Sequence, residues 1–122
     1  MNNQLVQNTT ALQSVGDVYQ MVGEDICAKW EALGQTDSHV HWAYGAEADA
    51  IISEGVPAML AYKAIAKKAG KRSETIRQAY YTYRAFTATQ REQYDLCPYS
   101  VFRAAKNATA PLEVLQHYID KN

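Results

Sequence analysis

The chain is predicted to be all-α: several helices packed into one compact domain, opened by a long N-terminal helix. Three observations predict this. Apolar residues recur at gaps of three and four, the period of a helix face. No alternating apolar–polar run of useful length is present, so no strand is expected. The periodic stretches are punctuated by Gly34, Gly55-Val56-Pro57, Gly70 and Cys97-Pro98, residues that stop helices. At 122 residues, with 48% apolar and 20% charged content, the chain can bury a core without disulfide or metal staples.

Residues 1–9 are polar and amide-rich and read as a disordered tail, leaving 10–122 as a single helical domain. Thr9 or Thr10 can cap a first helix reaching about Leu33, with Ala11, Leu12, Val15, Val18, Tyr19, Val22, Ile26, Trp30 and Leu33 on one stripe. Met21 and Cys27 widen that stripe. It can pack on its own core or form a two-fold interface. A second helix is expected from about Val40 to Ser53. Its alanines at 43, 46, 48 and 50 permit close helix approach.

Pro57 suits the first turn of a third helix, Ala58–Ala69, which Gly70 ends. A fourth runs from Ser73 to about Phe86, with Ser73 as its cap. Thr87 or Thr89 opens a short fifth helix, where Thr89-x-x-Glu92 has the spacing of a capping box. Residues 99–106 and 111–120 read as two more, separated by the loop NATAP.

Charge is unevenly spread. Residues 59–86 hold seven of the 12 basic residues (Lys63, Lys67, Lys68, Lys71, Arg72, Arg77 and Arg84) against one acid, Glu74, a net of +6. Residues 1–62 hold eight acids and one base, Lys29, a net of −7. A formal net charge of −1 therefore conceals a strongly polarised molecule. One basic face on an acidic body is suited to meeting a polyanion at one place.

The basic segment also meets the steric demands of two helices crossing through a tight turn. Ala66 is small where the helices meet, Gly70 tolerates the turn, and Ile76 pins the second helix to the first. The string IAKKAGKRSETIR resembles the helix-turn-helix superfamily of bacterial DNA-binding proteins, with the unit at about 58–86. It departs from the usual pattern at Lys71, Arg72 and Ala79. Trp42-Ala-Tyr-Gly45, Arg84-Ala-Phe86 and Leu96-Cys-Pro-Tyr-Ser100 are similar to flanks in small phage, plasmid and actinomycete regulators. These include relatives of the helical region of plasmid-partition proteins.

The resemblance implies sequence-specific binding of double-stranded DNA by a transcriptional regulator, a repressor of phage or plasmid type, acting as a homodimer. Arg77, Gln78, Glu74, Thr75 and Tyr81 would then face base edges. Arginine suits guanine and glutamine suits adenine. Lys67, Lys68, Lys71, Arg72, Ser73 and Arg84 would contact phosphates and set register. Two alternatives compete: a helical adaptor or inhibitor whose basic face meets an acidic protein, and a DNA partition or replication accessory.

Other chemistry is expected to be absent. Cys27 and Cys97 form no C-x-x-C, which fits a reducing cytoplasm. His39-x-His41 lacks a third metal ligand, and Cys97 with His117 has nothing to orient it as a nucleophile–base pair. Tyr80, Tyr81 and Tyr83 suggest stacking on unpaired bases less well than two inward rings and one outward. No phosphate loop, membrane span or signal peptide is read. The protein is taken as non-enzymatic, without cofactor or metal.

Overall fold

The computed structural model describes residues 14–22 and 37–121, without the side chains of 37 and 38. Its elements are α1 (Val15–Tyr19), α2 (Asp37–Ile52), α3 (Ala58–Ala69), α4 (Ser73–Ala85), α5 (Ala88–Gln93), α6 (Tyr99–Ala105) and α7 (Pro111–Lys121). No strand occurs among the described residues, so the all-α prediction stands.

The N-terminal helix is the main correction. Ser14, extended at φ −107° and ψ 152°, caps α1 by accepting from the Asp17 N–H, so helix begins at Val15 rather than after Thr10. It gives way after Tyr19 to a turn at Gln20 and Met21. The Ser14 hydroxyl satisfies one of the orphan donors of the first turn. The rest of the expected helix, including Cys27 and Trp30, lies outside the described residues, as does the tail at 1–9. Val18 and Val22 are fully buried, so the described part of the stripe packs into the chain's own core.

Two apolar clusters organise the domain. The larger joins Val18 and Val22 to Tyr44, Ala48 and Ile51 of α2, Ala61, Tyr62 and Ile65 of α3, and Ile76, Ala79 and Tyr80 of α4. The smaller gathers Phe86, Tyr94, Cys97, Phe102, Ala105 and Leu115 beneath α6 and α7. Trp42 packs against both. Its indole meets Tyr99 and Phe102 edge-on, at 5.5 and 5.1 Å between ring centroids. Arg91 lies 5.2 Å over the same ring and donates to the Phe86 carbonyl at 2.6 Å, fastening α5 against the end of α4.

α5 is opened by the first of the two expected threonines, and the capping box lies two residues earlier than Thr89-x-x-Glu92. Thr87 accepts from the Gln90 N–H at 3.1 Å, and the Gln90 side chain accepts from the Thr87 N–H at 3.0 Å. Thr87 holds the extended backbone a cap requires, whereas Thr89 already lies inside α5. Pro57 occupies the cap position of α3, one residue before the first helical turn.

Candidate nucleic-acid interface

The basic segment folds as α3, a three-residue turn at 70–72, and α4. Gly70 adopts the left-handed conformation (φ 69°, ψ 36°), which a glycine occupies without steric cost. The Lys71 N–H then reaches back to the Ala66 carbonyl at 2.9 Å and closes the end of α3. Ile76 and Ala79 are fully buried, and these hold α4 in place. Ser73 is not the helix cap. Arg72 takes that position with extended backbone (φ −86°, ψ 147°) and no side-chain cap hydrogen bond, while Ser73 is the first helical residue.

One face of α4 points away from both cores. Glu74 and Tyr81 are exposed, and Thr75, Arg77 and Gln78 are partly exposed. Four of these side chains are linked to one another. Arg77 Nε donates to Glu74 Oε1 at 2.9 Å, and Arg77 Nη2 donates to Glu74 Oε2 at 3.1 Å. Gln78 Nε2 donates to Glu74 Oε2 at 2.8 Å. The Arg77 guanidinium also lies 5.3 Å from the Tyr81 ring centre. Hydrogen bonds from Arg77 and then Gln78 hold the Glu74 carboxyl well down, to about 2. The same carboxylate, followed by the Tyr81 hydroxyl, raises the Arg77 pKa further.

Beside this face lie two cations that the sequence analysis did not single out, Arg103 of α6 and Lys106, the residue that caps its C-terminal end. Lys106 Nζ donates to Gln78 Oε1 at 2.9 Å. Burial, with Arg103 and Arg77 nearby, lowers the Lys106 pKa. Arg72, Glu74, Thr75, Gln78 and Arg103 share the walls of a cleft of about 220 Å³ with His41 and Tyr99. The signal available in the sequence was the Arg103-x-x-Lys106 spacing, which places both on one side of a helix. Their approach to α4 depends on how α6 packs.

The remaining expected phosphate contacts divide. Lys71 and Arg72 are exposed in and beside the turn. Lys67 and Lys68 instead sit over the Tyr19 ring, 5.5 and 4.5 Å from its centre. Lys68 Nζ also donates to the Val22 carbonyl at 2.6 Å, tying the α1 segment to α3. Arg84, exposed near the end of α4, donates to the Tyr80 hydroxyl at 2.9 Å. That bond raises its pKa, with a smaller contribution from Asp49.

The histidine pair has separate surroundings. His41 stacks on Tyr99 at 4.5 Å, while His39 is exposed at a second cleft of about 680 Å³ that Trp42, Leu96 and Phe102 also line. Among the described residues no three His, Cys, Asp or Glu side chains gather as a metal ion requires. Cys97 is buried with its Sγ donating to the Leu115 carbonyl at 3.4 Å, and burial raises the thiol pKa. No helix among the described residues is long and apolar enough to cross a membrane. Comparison with protein-family models, curated proteins and solved structures found no match to the chain.

Proposed function

We propose that this protein binds double-stranded DNA in a sequence-dependent manner as a transcriptional regulator of helix-turn-helix type, repressing by occupancy of a short site. The exposed face of α4 carries this reading. It follows a tight three-residue turn and offers Glu74, Arg77, Gln78 and Tyr81 together, with Arg72 and Arg103 alongside. A helix projected in this way has the dimensions and donor chemistry to enter a major groove. In this reading Lys71, Arg72, Ser73 and Arg103 would meet phosphates on its flanks. Lys67 and Arg84 extend the basic surface, whereas the Lys68 ammonium is already engaged by Val22. A cytoplasmic homodimer reading a two-fold site completes the proposal.

Selection of bound sequences from a random duplex library, combined with retention on random DNA across a salt series, tests it. A short palindromic consensus, with affinity falling steeply as salt rises, is the expected result. The absence of duplex binding even at low salt would reject DNA as the partner. It would favour the second reading, a protein-interaction module. That reading draws on Leu96, which is 74% exposed at the mouth of the cleft beside Trp42.

A further inference from the structure

The guanidinium of Arg77 has five N–H donors arranged in two usable forks. Its side fork, Nε with Nη2, is closed on the two oxygens of Glu74 at 2.9 and 3.1 Å. The end fork, formed by Nη1 and the second N–H of Nη2, is not used by Glu74 and has only the Tyr81 hydroxyl in its neighbourhood among the groups that raise the Arg77 pKa. A side chain held along its side fork cannot swing freely, so the direction of the end fork is set. Glu74 is itself held: Gln78 Nε2 donates to its second oxygen, and Gln78 Oε1 accepts from Lys106 at the end of α6. Tyr81 supports the guanidinium from the next turn of α4. The arrangement is a braced arginine, three supports deep.

The ion pair contributes little to stability, since both side chains are substantially exposed (39% and 53%) and water competes for their charges. Its effect is on orientation. A flexible arginine loses side-chain entropy when it is fixed against a target, and a braced one has already lost it. The end fork matches one base edge closely: the N7 and O6 acceptors of guanine in the major groove. Adenine offers N7 beside an N6 donor, which repels the second prong. Gln78 has the chemistry for adenine, but both ends of its amide are engaged by Glu74 and Lys106.

We infer that Glu74 is a positioning residue that presents the end fork of Arg77 to guanine, so that the site selects duplexes with a G·C pair at the point where Arg77 enters the groove. Gln78 belongs to the brace and not to the base-reading set. This rests on the proposal that α4 enters a DNA groove.

The test uses the full chain and fluorescence anisotropy titrations. The probes are a duplex taken from the selection, the same duplex with the central guanine replaced by 7-deazaguanine, and a random duplex. Losing one acceptor of a two-pronged contact weakens the wild type by about tenfold. In Arg77→Lys and in Glu74→Ala, both probes bind to within about twofold of each other, because the fork is absent in one and unbraced in the other. On the random duplex Glu74→Ala binds at least as tightly as wild type, since a negative charge has left the face. Both positions are on the surface, and circular dichroism confirms that the variants keep the helical fold.

A Glu74→Ala protein that retains the full 7-deazaguanine penalty would overturn the brace while leaving DNA binding intact. Wild type that selects a sequence without any guanine dependence would do the same. A wild type that binds no duplex at low salt would instead remove the proposed function, and this inference with it.

Discussion

Gly45 of α2 lies so close to Ala79 of α4 that a Cβ at position 45 would sit 2.6 Å from the Ala79 carbonyl oxygen and 2.6 Å from the Cβ of Tyr83. Both obstacles are backbone or next to it, so neither can rotate away. The backbone of Ala79, itself fully buried, is the partner of this close approach. α2 and α4 meet here because position 45 has no side chain, and α4 is thereby set against the core with its opposite face outward.

Gly45→Ala is accordingly expected to force the two helices apart. Overpacking of this kind costs about 1–3 kcal/mol. A urea unfolding curve should show a lower midpoint with an unchanged slope, and any duplex affinity should fall as α4 shifts. A midpoint equal to wild type would mean that α2 and α4 can part without loss.

Leu115 is fully buried in the smaller cluster, beside Cys97 and Phe102. Leu115→Ala removes apolar volume that the neighbours cannot refill, at a cost of about 2–5 kcal/mol. Protection of α7 amides in hydrogen exchange should drop more than that of α3, because α3 packs in the other cluster. Equal losses in both helices would show that the two clusters unfold as one.

The Glu74 carboxyl titrates at about 2 in the folded chain, below its ordinary value of 4.5, because Arg77 and Gln78 donate to it. A depressed carboxyl stabilises the fold above its unfolded value; here that contribution is small because water reaches both partners, and it is lost as pH falls from about 4.5 through 2. The carboxyl carbon of Glu74, followed by NMR, should therefore titrate near 2 in wild type. In Arg77→Ala it should move up towards the ordinary range. A normal midpoint in wild type would show that the clasp is open in solution.

Tyr62 behaves in the opposite direction. Burial, then the neighbouring Tyr81, pushes its phenol from 10.0 up to about 12. A raised group contributes stability that is complete below pH 10 and is lost as pH rises through about 12. Tyr62→Phe removes the group that must ionise on unfolding. The decline in urea midpoint between pH 9 and 12 should be shallower in that variant than in wild type, and an identical decline would exclude Tyr62 as its source.

Lys71 and Arg72 are exposed and adjacent to α4, which makes them the simplest test of phosphate contact. Each replacement by alanine should reduce the slope of log affinity against log salt by about 0.9. The sequence preference should be unchanged. Lys68→Ala should instead lower stability, because its ammonium holds the Val22 carbonyl. A salt slope unaltered in both Lys71→Ala and Arg72→Ala would remove those two from the interface.

Much of the local architecture was legible from neighbouring residues. α3 was placed at its observed limits by Gly70 and Pro57, and α4 to within one residue. The hairpin between them follows from a glycine that can take positive φ and an isoleucine six residues later. Caps were less secure. Ser73 and Thr89 have the right chemistry, but so have their neighbours, and the backbone at Arg72 and Thr87 decided the matter. The brace at Glu74 was readable in principle, since Arg77 and Gln78 follow at three and four residues, the spacing at which helical side chains meet. The same spacing equally lets both side chains face outward, and the approach of Lys106 to Gln78 decides between the two.

Short-range forces acting along the chain determined its helical class, the position of its turns and the concentration of cations between 63 and 84. These depend on backbone sterics and residue order, which no distant partner alters. Tertiary packing alone decided which of those cations share a surface. Lys68 was drawn to Val22, while Arg103 and Lys106 were carried from α6 to the side of α4. Helices are placed by apolar burial and close fit, as at Gly45 and Ala79. Their charged side chains go wherever that packing leaves room, so a surface is composed only when the core is complete.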